Sequence, residues 1–359
     1  MSSKTSRRSL LTGMGAAAVG ISFVGLEACS KPGKSINFYN WDTYIGKTTL
    51  ADFLKESGVE VKMSTFATND ELFAKIKTGN SGYDVIVPSN DFVTRMSQAD
   101  LLLPLDHSKL PNLANISKEF MDPPYDPGRK FSVPYTWLVL GIGYRKSAMK
   151  DMDGSKVPNS WKWVFDSDLY KGKIALLSEA GDLMRLGAKY LGHSVNAVTP
   201  EVIAEVEKML IKQKPNVLKF HEDDGQDLLV AHDVDIVIEY NGDIAQVMTD
   251  DPDLDFVIPK EGSQLNSDTW AIPKDAPNPD DAHAFLNFMM DAKVGAEIYN
   301  TILYPSPNKA ATALMPDSYK NNPVIFPTEA ELATCEYAAF EGAEKAQAYE
   351  EAVTRIKAS

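Results

Sequence analysis

Cysteine and histidine are scarce in this sequence of 359 residues, which has two cysteines and five histidines. A disulfide-dense small scaffold is therefore excluded, because such scaffolds carry many paired cysteines. The histidines have no spacing typical of metal ligands. The acidic run Glu222–Asp227 lacks the alternating ligands and terminal Glu of a calcium loop, and it predicts the solvated start of a helix. We therefore predict no metal site and no cofactor.

An excess of positive charge, long apolar runs and known catalytic motifs are also missing. The net charge of -14 argues against a nucleic-acid partner, and the mean hydropathy of -0.23 excludes a protein with many membrane spans. The motifs G-x-S-x-G and H-E-x-x-H and the Walker loop are absent. One catalytic hypothesis is left, in which Glu179 and Asp182 act as acid and base, but no nucleophile or cofactor motif accompanies them. We predict that the chain is not an enzyme.

Residues 1–28 have the pattern of an export signal. The arginine pair of SRRSLL precedes an apolar stretch, Leu10–Leu26, that is short and rich in Gly and Ala. This combination is typical of a twin-arginine signal peptide and not of a membrane span. The following LEAC resembles a lipoprotein cleavage site, so we predict a lipid on Cys29, which leaves Cys335 without a disulfide partner. Secretion without a lipid is the alternative.

Strand and helix patterns alternate after a polar tether at residues 29–35. SINFYN, VEVKMSTF and YDVIVPS predict strands, and TTLADFLKESG and NDELFAKIKTG predict helices between them, the second with Asn69 as its N-cap. This order implies parallel strands with right-handed crossovers. Because GKIALLS, TPEVIAEVEKMLIKQ and VDIVIEY repeat the theme, we predict two α/β lobes, with the chain crossing between them at Val133–Arg145 and Gly262–Pro273.

Acids and aromatic residues follow four of the predicted strands. They are Trp41, Asp42 and Tyr44 after the first, Ser89 and Asp91 after the third, and then Glu179, Asp182, Tyr240 and Asp243. Ligands of open α/β sheets bind beyond the carboxyl ends of strands, and carboxylates beside aromatic faces suit ammonium groups. The alternatives are N-capping for Asp91, Asp182 and Asp243, and core packing for Trp41 and Tyr240.

A family resemblance rests on several motifs together. FYNWDTYI, YDVIVPSNDFV, PLDHSKLPNL, VPYTWLVLGIGY, IPKEG, WAIPKDA and LYPSPNKAA resemble the periplasmic polyamine-binding proteins of spermidine/putrescine ABC importers, from about residue 36 to the C terminus. The resemblance implies a two-lobed type II periplasmic-binding fold of the α/β class, with a ligand cleft between the lobes. It also implies a polyamine ligand, an ABC permease as partner and a monomeric state.

The resemblance implies a set of ligand-binding residues. They are Trp41, Asp42, Thr43, Tyr44, Ser89, Asp91, Glu179, Asp182, Tyr240, Asp243, Asp268 and Tyr304. The sequence departs from the family pattern at Asn266, where Trp or Phe is usual, and at Asp91, where spermidine binders can have Tyr. Both departures make the expected pocket less aromatic and more acidic.

The expected organisation and function follow from these observations. We expect lobe 1 to comprise residues 36–140 and 269–304, and lobe 2 to comprise residues 141–268 and 305–359. The predicted function is the capture of a polyamine on the periplasmic or cell-surface side and its delivery to a membrane permease. The alternative is a sensor that presents a bound amine to a membrane receptor, and neighbouring genes for a permease and an ATPase would favour transport.

Overall fold

A computed structural model describes residues 33–152 and 154–359. The predicted signal peptide and the predicted lipid site at Cys29 lie outside these residues, and both stay predictions. Within the described ranges, no helix combines the length and the apolar character needed to cross a bilayer.

Ten strands occur in the described residues: β1 (Ser35–Asn40), β2 (Glu60–Thr65), β3 (Val85–Ile86), β4 (Ser132–Arg145), β5 (Ile174–Leu177), β6 (Val217–His221), β7 (Ile236–Tyr240), β8 (Leu254–Val257), β9 (Gln264–Ala271) and β10 (Glu336–Tyr337). The α-helices are α1 (Thr49–Ser57), α2 (Asn69–Lys77), α3 (Asn90–Gln98), α4 (Lys162–Phe165), α5 (Ala180–Tyr190), α6 (Pro200–Gln213), α7 (Gly225–Val230), α8 (Asn241–Val247), α9 (Pro279–Met289), α10 (Ala292–Ile302), α11 (Lys309–Thr312), α12 (Asp317–Lys320), α13 (Glu329–Leu332) and α14 (Ala343–Ala358).

The strands form one sheet with the order β2-β1-β3-β9-β4-β7-β5-β6, in which β10 pairs with β9 and β8 pairs with β4. β1 is parallel to β2 and β3, and β5 is parallel to β6 and β7. β9 and β4 run antiparallel to each other and to their neighbours β3 and β7. Two parallel α/β units therefore meet at a central antiparallel pair, as the two-lobed prediction requires.

β4 and β9 are the strands that join the two units. The first part of β4, from Ser132 to Val139, pairs with β9, and the next part, from Leu140 to Tyr144, pairs with β7. Both strands fall in the segments where the sequence predicts that the chain crosses between lobes. The carboxyl ends of β1 and β3 on one side and of β5, β6 and β7 on the other consequently approach this central pair.

Two large hydrophobic cores lie on either side of the central strands. The first includes Phe38, Phe53, Trp270 and Phe285, and the second includes Trp161, Leu183, Leu210 and Tyr349. The chain after residue 304 contributes to both cores: Ala311 and Ile325 pack in the first, and Tyr349 and Ile356 pack in the second. The predicted boundaries assign this whole tail to lobe 2.

Local capping differs from the prediction at α2. The helix is capped by Thr68, whose side chain accepts a hydrogen bond from the Glu71 N–H, and not by Asn69. The Asn69 side chain is instead hydrogen-bonded to Ser89, with 3.0 Å between Nδ2 and Oγ. The N-capping alternative for Asp91, Asp182 and Asp243 is also wrong, because each lies inside the first turn of its helix.

Gly141 provides a test of the crossover packing. A Cβ atom at this position would lie 2.3 Å from Cζ of Phe256 and 2.7 Å from the carbonyl oxygen of Val257, next to the site where β8 pairs with β4. Gly141→Ala should lower the free energy of unfolding by about 1–3 kcal/mol, because the extra methyl group overpacks the strand. Urea denaturation measures the change.

Gly33→Ala is the matched control, since a Cβ atom there meets nothing within 4 Å. It should change the free energy of unfolding by less than about 0.5 kcal/mol. Equal urea midpoints for the two variants would contradict the described packing of β4 on β8.

Candidate functional site

A small cavity of about 30 Å³ lies between the two units, beyond the strand ends. Its lining consists of acids, aromatic side chains and two further residues: Trp41, Asp42, Tyr44, Ser89, Leu138, Asp223, Tyr240, Asp243, Asp268 and Tyr304. Eight of the residues predicted to bind the ligand are therefore brought together from separate parts of the chain. Leu138 and Asp223 are additions that the sequence did not indicate.

Asp268 is the most firmly held acid of the cavity. It lies on β9, its residue is 6% exposed, and its carboxylate accepts hydrogen bonds from Ser89 Oγ at 2.7 Å and Tyr44 OH at 2.9 Å. The Tyr44 hydroxyl also contacts Thr136 Oγ1 on β4 at 2.5 Å. Donors on two separate segments thus fix the carboxylate and favour its ionised form, and Thr136 in turn holds the Tyr44 hydroxyl.

Asp243 is held in a similar way from the other side. It lies in the first turn of α8 and accepts a hydrogen bond from Tyr304 OH at 2.6 Å. The Tyr304 ring stands edge-on to the Tyr44 ring, with 5.0 Å between centroids. A Cβ atom at Gly242 would lie 2.2 Å from Cδ2 of Tyr304, so only glycine allows this ring to reach Asp243.

Trp41 and Tyr240 are half-buried side chains with a polar anchor at one edge. Trp41 Nε1 donates to the Val87 carbonyl at 3.0 Å, and Tyr240 OH donates to Asp182 at 2.7 Å. Both side chains also pack against the hydrophobic cores, Tyr240 against both large ones. Core packing and cavity lining are therefore roles that these rings combine.

Asp223 is the acid that sequence reasoning missed. It follows the edge strand β6, whose residues VLKFH are mostly exposed or half-buried and show no buried strand pattern. Without a predicted strand before it, the acidic run Glu222–Asp227 gave only the prediction of a solvated helix start. Had β6 been recognised, the rule of acids beyond strand ends would have included Asp223.

Burial raises the pKa of the three inner carboxyl groups. It raises the pKa of Asp268 to about 6, against the opposing effect of the hydrogen bonds from Ser89 and Tyr44. It raises the pKa of Asp243 to about 7, and burial together with the nearby charge of Asp243 raises the pKa of Asp223 to about 9. Among the residues that the structure describes, no Lys or Arg belongs to the cavity lining, so no described side chain there offsets these negative charges.

Four predicted residues lie outside the cavity lining. Thr43 is exposed, with a φ of 47°. Asp91 and Asp182 are buried beside Arg185, whose Nη1 lies 3.1 Å from an Asp91 oxygen and 3.8 Å from an Asp182 oxygen. The Glu179 carboxylate accepts a hydrogen bond from the Asn69 N–H at 3.0 Å, and burial raises its pKa well above the ordinary value.

Metal binding finds no support in the described part of the chain, where no group of three or more His, Cys, Asp or Glu side chains could hold a metal ion. The arrangement instead suits an organic cation. Carboxylates can accept hydrogen bonds from ammonium groups, while the rings of Trp41, Tyr44 and Tyr240 offer faces and edges to the methylene groups between them.

Comparison with known proteins agrees with this chemistry. Residues 48–328 match the family model described as bacterial extracellular solute-binding protein. The chain is 35% identical over 309 residues to a putrescine-binding periplasmic protein of Pseudomonas aeruginosa, covering 82% of this chain and 84% of that protein. It is 31% identical over 349 residues to the spermidine/putrescine-binding periplasmic protein of Escherichia coli, covering 97% of each.

Solved structures give the same result. A putative spermidine/putrescine ABC transporter protein from Listeria monocytogenes has a TM-score of 0.85 and 33% identity, covering 90% of this chain and 99% of that chain. Because these relatives are named as putrescine- or spermidine-binding periplasmic proteins and as an ABC transporter, the prediction that this chain is not an enzyme is confirmed. The matched model and the identities together show that the chain belongs to the bacterial extracellular solute-binding protein family, beside its putrescine- and spermidine-binding members.

Proposed function

We propose that this protein captures a putrescine- or spermidine-like polyamine in the cleft between its lobes and delivers it to an ABC permease. The observation that carries this proposal is the convergence of Asp223, Asp243 and Asp268 in a cavity that no described Lys or Arg lines. Buried carboxylates are costly unless a positive charge pairs with them. A ligand with two or more ammonium groups supplies that charge, and the relatives named for putrescine and spermidine support the class.

Closure of the cleft is the step that gives the ligand its affinity. Contacts between the two units already surround the cavity, including the hydrogen bond from Asn69 N–H to Glu179. Excluding water strengthens every charge pair inside the cavity. β4, which pairs with β9 in one unit and with β7 in the other, and its partner β9 are the elements about which the lobes would turn. An amine whose nitrogen spacing does not match the spacing of the acids leaves a carboxylate unpaired. The free-energy cost of that unpaired carboxylate sets the specificity.

The cellular setting follows from the same proposal. The protein is exported by residues 1–28 to the periplasmic or cell-surface side, as the names of its periplasmic relatives support. A lipid at Cys29 keeps it at the membrane, and it acts as a monomer that docks on the permease. The lobe boundaries predicted at residues 140 and 268 fall within the crossing strands β4 and β9, where we propose the cleft.

Ligand-dependent stabilisation tests the proposed class of ligand. Putrescine or spermidine at 100 times Kd should stabilise the fold by about 2.7 kcal/mol and raise its Tm. 1,4-Butanediol is the matched control, because it keeps the length of putrescine and replaces both ammonium groups with hydroxyls. The proposed class of ligand is wrong if neither polyamine, at millimolar concentration, raises Tm.

Asp268→Asn tests the role of the firmly held acid. Removing the charge should weaken putrescine binding by about 2 kcal/mol or more, or roughly 30-fold in Kd, because a buried ammonium group loses its ionic partner. Asp317→Asn is the control, since the Asp317 side chain is 86% exposed on α12. Calorimetry that gives the same Kd for both variants would remove Asp268 from the site.

The raised pKa values predict a pH-dependent affinity. Asp268 and Asp243, with pKa values of about 6 and about 7, must be ionised to pair with ammonium groups. Binding should therefore release protons, and Kd should fall as the pH rises from about 5 to about 8, where the amine stays protonated. Calorimetry in buffers of different ionisation enthalpy measures the released protons. A Kd independent of pH in this range would contradict the described burial.

A further inference from the structure

Two acids beside the cavity, Asp91 and Asp182, are already paired with a positively charged side chain of the protein, Arg185. The Arg185 side chain is 5% exposed, and its Nη1 contacts Asp91 at 3.1 Å and Asp182 at 3.8 Å. Its Nη2 donates to the Ala339 carbonyl at 3.0 Å. Asp91 begins α3 in the first unit, whereas Asp182 and Arg185 lie one turn apart on α5 in the second. The ion pair with Asp91 therefore spans the two units.

The Arg185 guanidinium group occupies the space beside Asp91 and Asp182 and also balances their negative charge. A Cβ atom at Gly181 would lie 3.1 Å from Nη1 of Arg185, so the group packs closely on the start of α5. Asp182 is further occupied by the hydrogen bonds from Tyr240 OH and Gln264 Nε2, at 2.7 Å and 2.5 Å. A ligand ammonium at this end would meet a buried positive charge and carboxylates whose acceptor sites are taken.

The other end of the cavity is open and acidic. Asp42 and Asp223 line both the inner cavity and a wider one of about 580 Å³, which is also lined by Glu71, Glu222 and Asp224. Lys219, the one basic residue of that lining, is paired with Asp224 at 2.5 Å. A part of a ligand that extends beyond the inner cavity past Asp42 and Asp223 enters this wider, acidic cavity.

We propose that Arg185 determines ligand specificity by occupying the place of an ammonium group at the Asp91–Asp182 end of the cleft. This inference rests on the proposed function. The inner acids Asp223, Asp243 and Asp268 then bind the amine, and the third ammonium group of a triamine lies in the solvated mouth. A charge pair in solvent contributes little, so the triamine gains little over the diamine.

The wild-type protein gives the first test, which needs no variant. Titration calorimetry with putrescine and with spermidine at the same ionic strength should show spermidine binding no more than about tenfold more tightly than putrescine. A larger preference for spermidine would mean that a third ammonium group finds a buried partner, and it would overturn the proposal.

Arg185→Met gives the second test. The substitution leaves Asp91 and Asp182 without their cation, so the ratio of the putrescine Kd to the spermidine Kd should rise by about tenfold or more. The ratio is the useful readout, because loss of the contact between the units would weaken both ligands alike. Arg185→Lys should keep the wild-type ratio, since it keeps the charge.

Arg355→Met is the matched control, because Arg355 pairs with Glu207 at 2.8 Å, on α14 and α6 away from the cleft. An Arg185→Met ratio equal to that of Arg355→Met would overturn the proposal. If Arg185→Met does not fold, the wild-type comparison alone decides. Failure of both polyamines to bind the wild-type protein would instead contradict the proposed function, so the two failures are distinguishable.

Discussion

Negative charge buried between two lobes is the constraint on which the rest of this structure depends. Asp223, Asp243 and Asp268 each have a raised pKa, because desolvation by burial opposes their ionisation and no described Lys or Arg lines the cavity. Hydrogen bonds from Ser89, Tyr44 and Tyr304 hold two of these groups in place without neutralising them. Protonation relieves the negative charge of these carboxyl groups, and a cationic ligand competes with those protons.

The topology of the sheet brings the acids to one place. Two sets of parallel strands flank the antiparallel β9 and β4. Because β4 pairs first with β9 and then with β7, the carboxyl ends of the two sets point toward each other, and we call the line where they meet the seam. Residues that follow β1 and β3 thereby face residues that follow β6 and β7. Asp268 differs in its origin, because it lies within β9, on the seam itself. The cavity is thus built by strand ends around one acid of a central strand.

The sequence predicted most of this arrangement because its signals are local. Buried strands such as YDVIVPS and VDIVIEY contain continuous apolar runs, so the residues at their ends, Ser89 and Tyr240, could be placed at strand ends. Asp268 was found only through the family resemblance, since an acid within a strand has no such local signal. Ser89, Tyr240 and Asp268 all line the cavity.

Other features depend on contacts between distant segments, which no local pattern records. β6 is an exposed edge strand, and Asp223 was therefore missed. Asn69 is a suitable N-cap by type, but its side chain is bound to Ser89, 20 residues away, and Thr68 caps the helix. The Asp182–Arg185 spacing is typical of a surface ion pair on a helix. Only the fold shows that Asp91 makes it a buried triad.

The first hydrophobic core combines residues from distant parts of the chain, and this affects how the chain folds during synthesis. Phe38 and Phe53, near the start, pack against Phe285 of α9, with ring centroids 5.4 Å and 4.9 Å apart. Domains that are continuous in sequence fold as the ribosome releases them. Here the apolar faces of β1 and α1 stay uncovered until α9 has been synthesised, and α9 follows β5, β6, β7 and β8 in the chain. The lobe that begins with β1 is therefore completed only after the strands of the other lobe have been made.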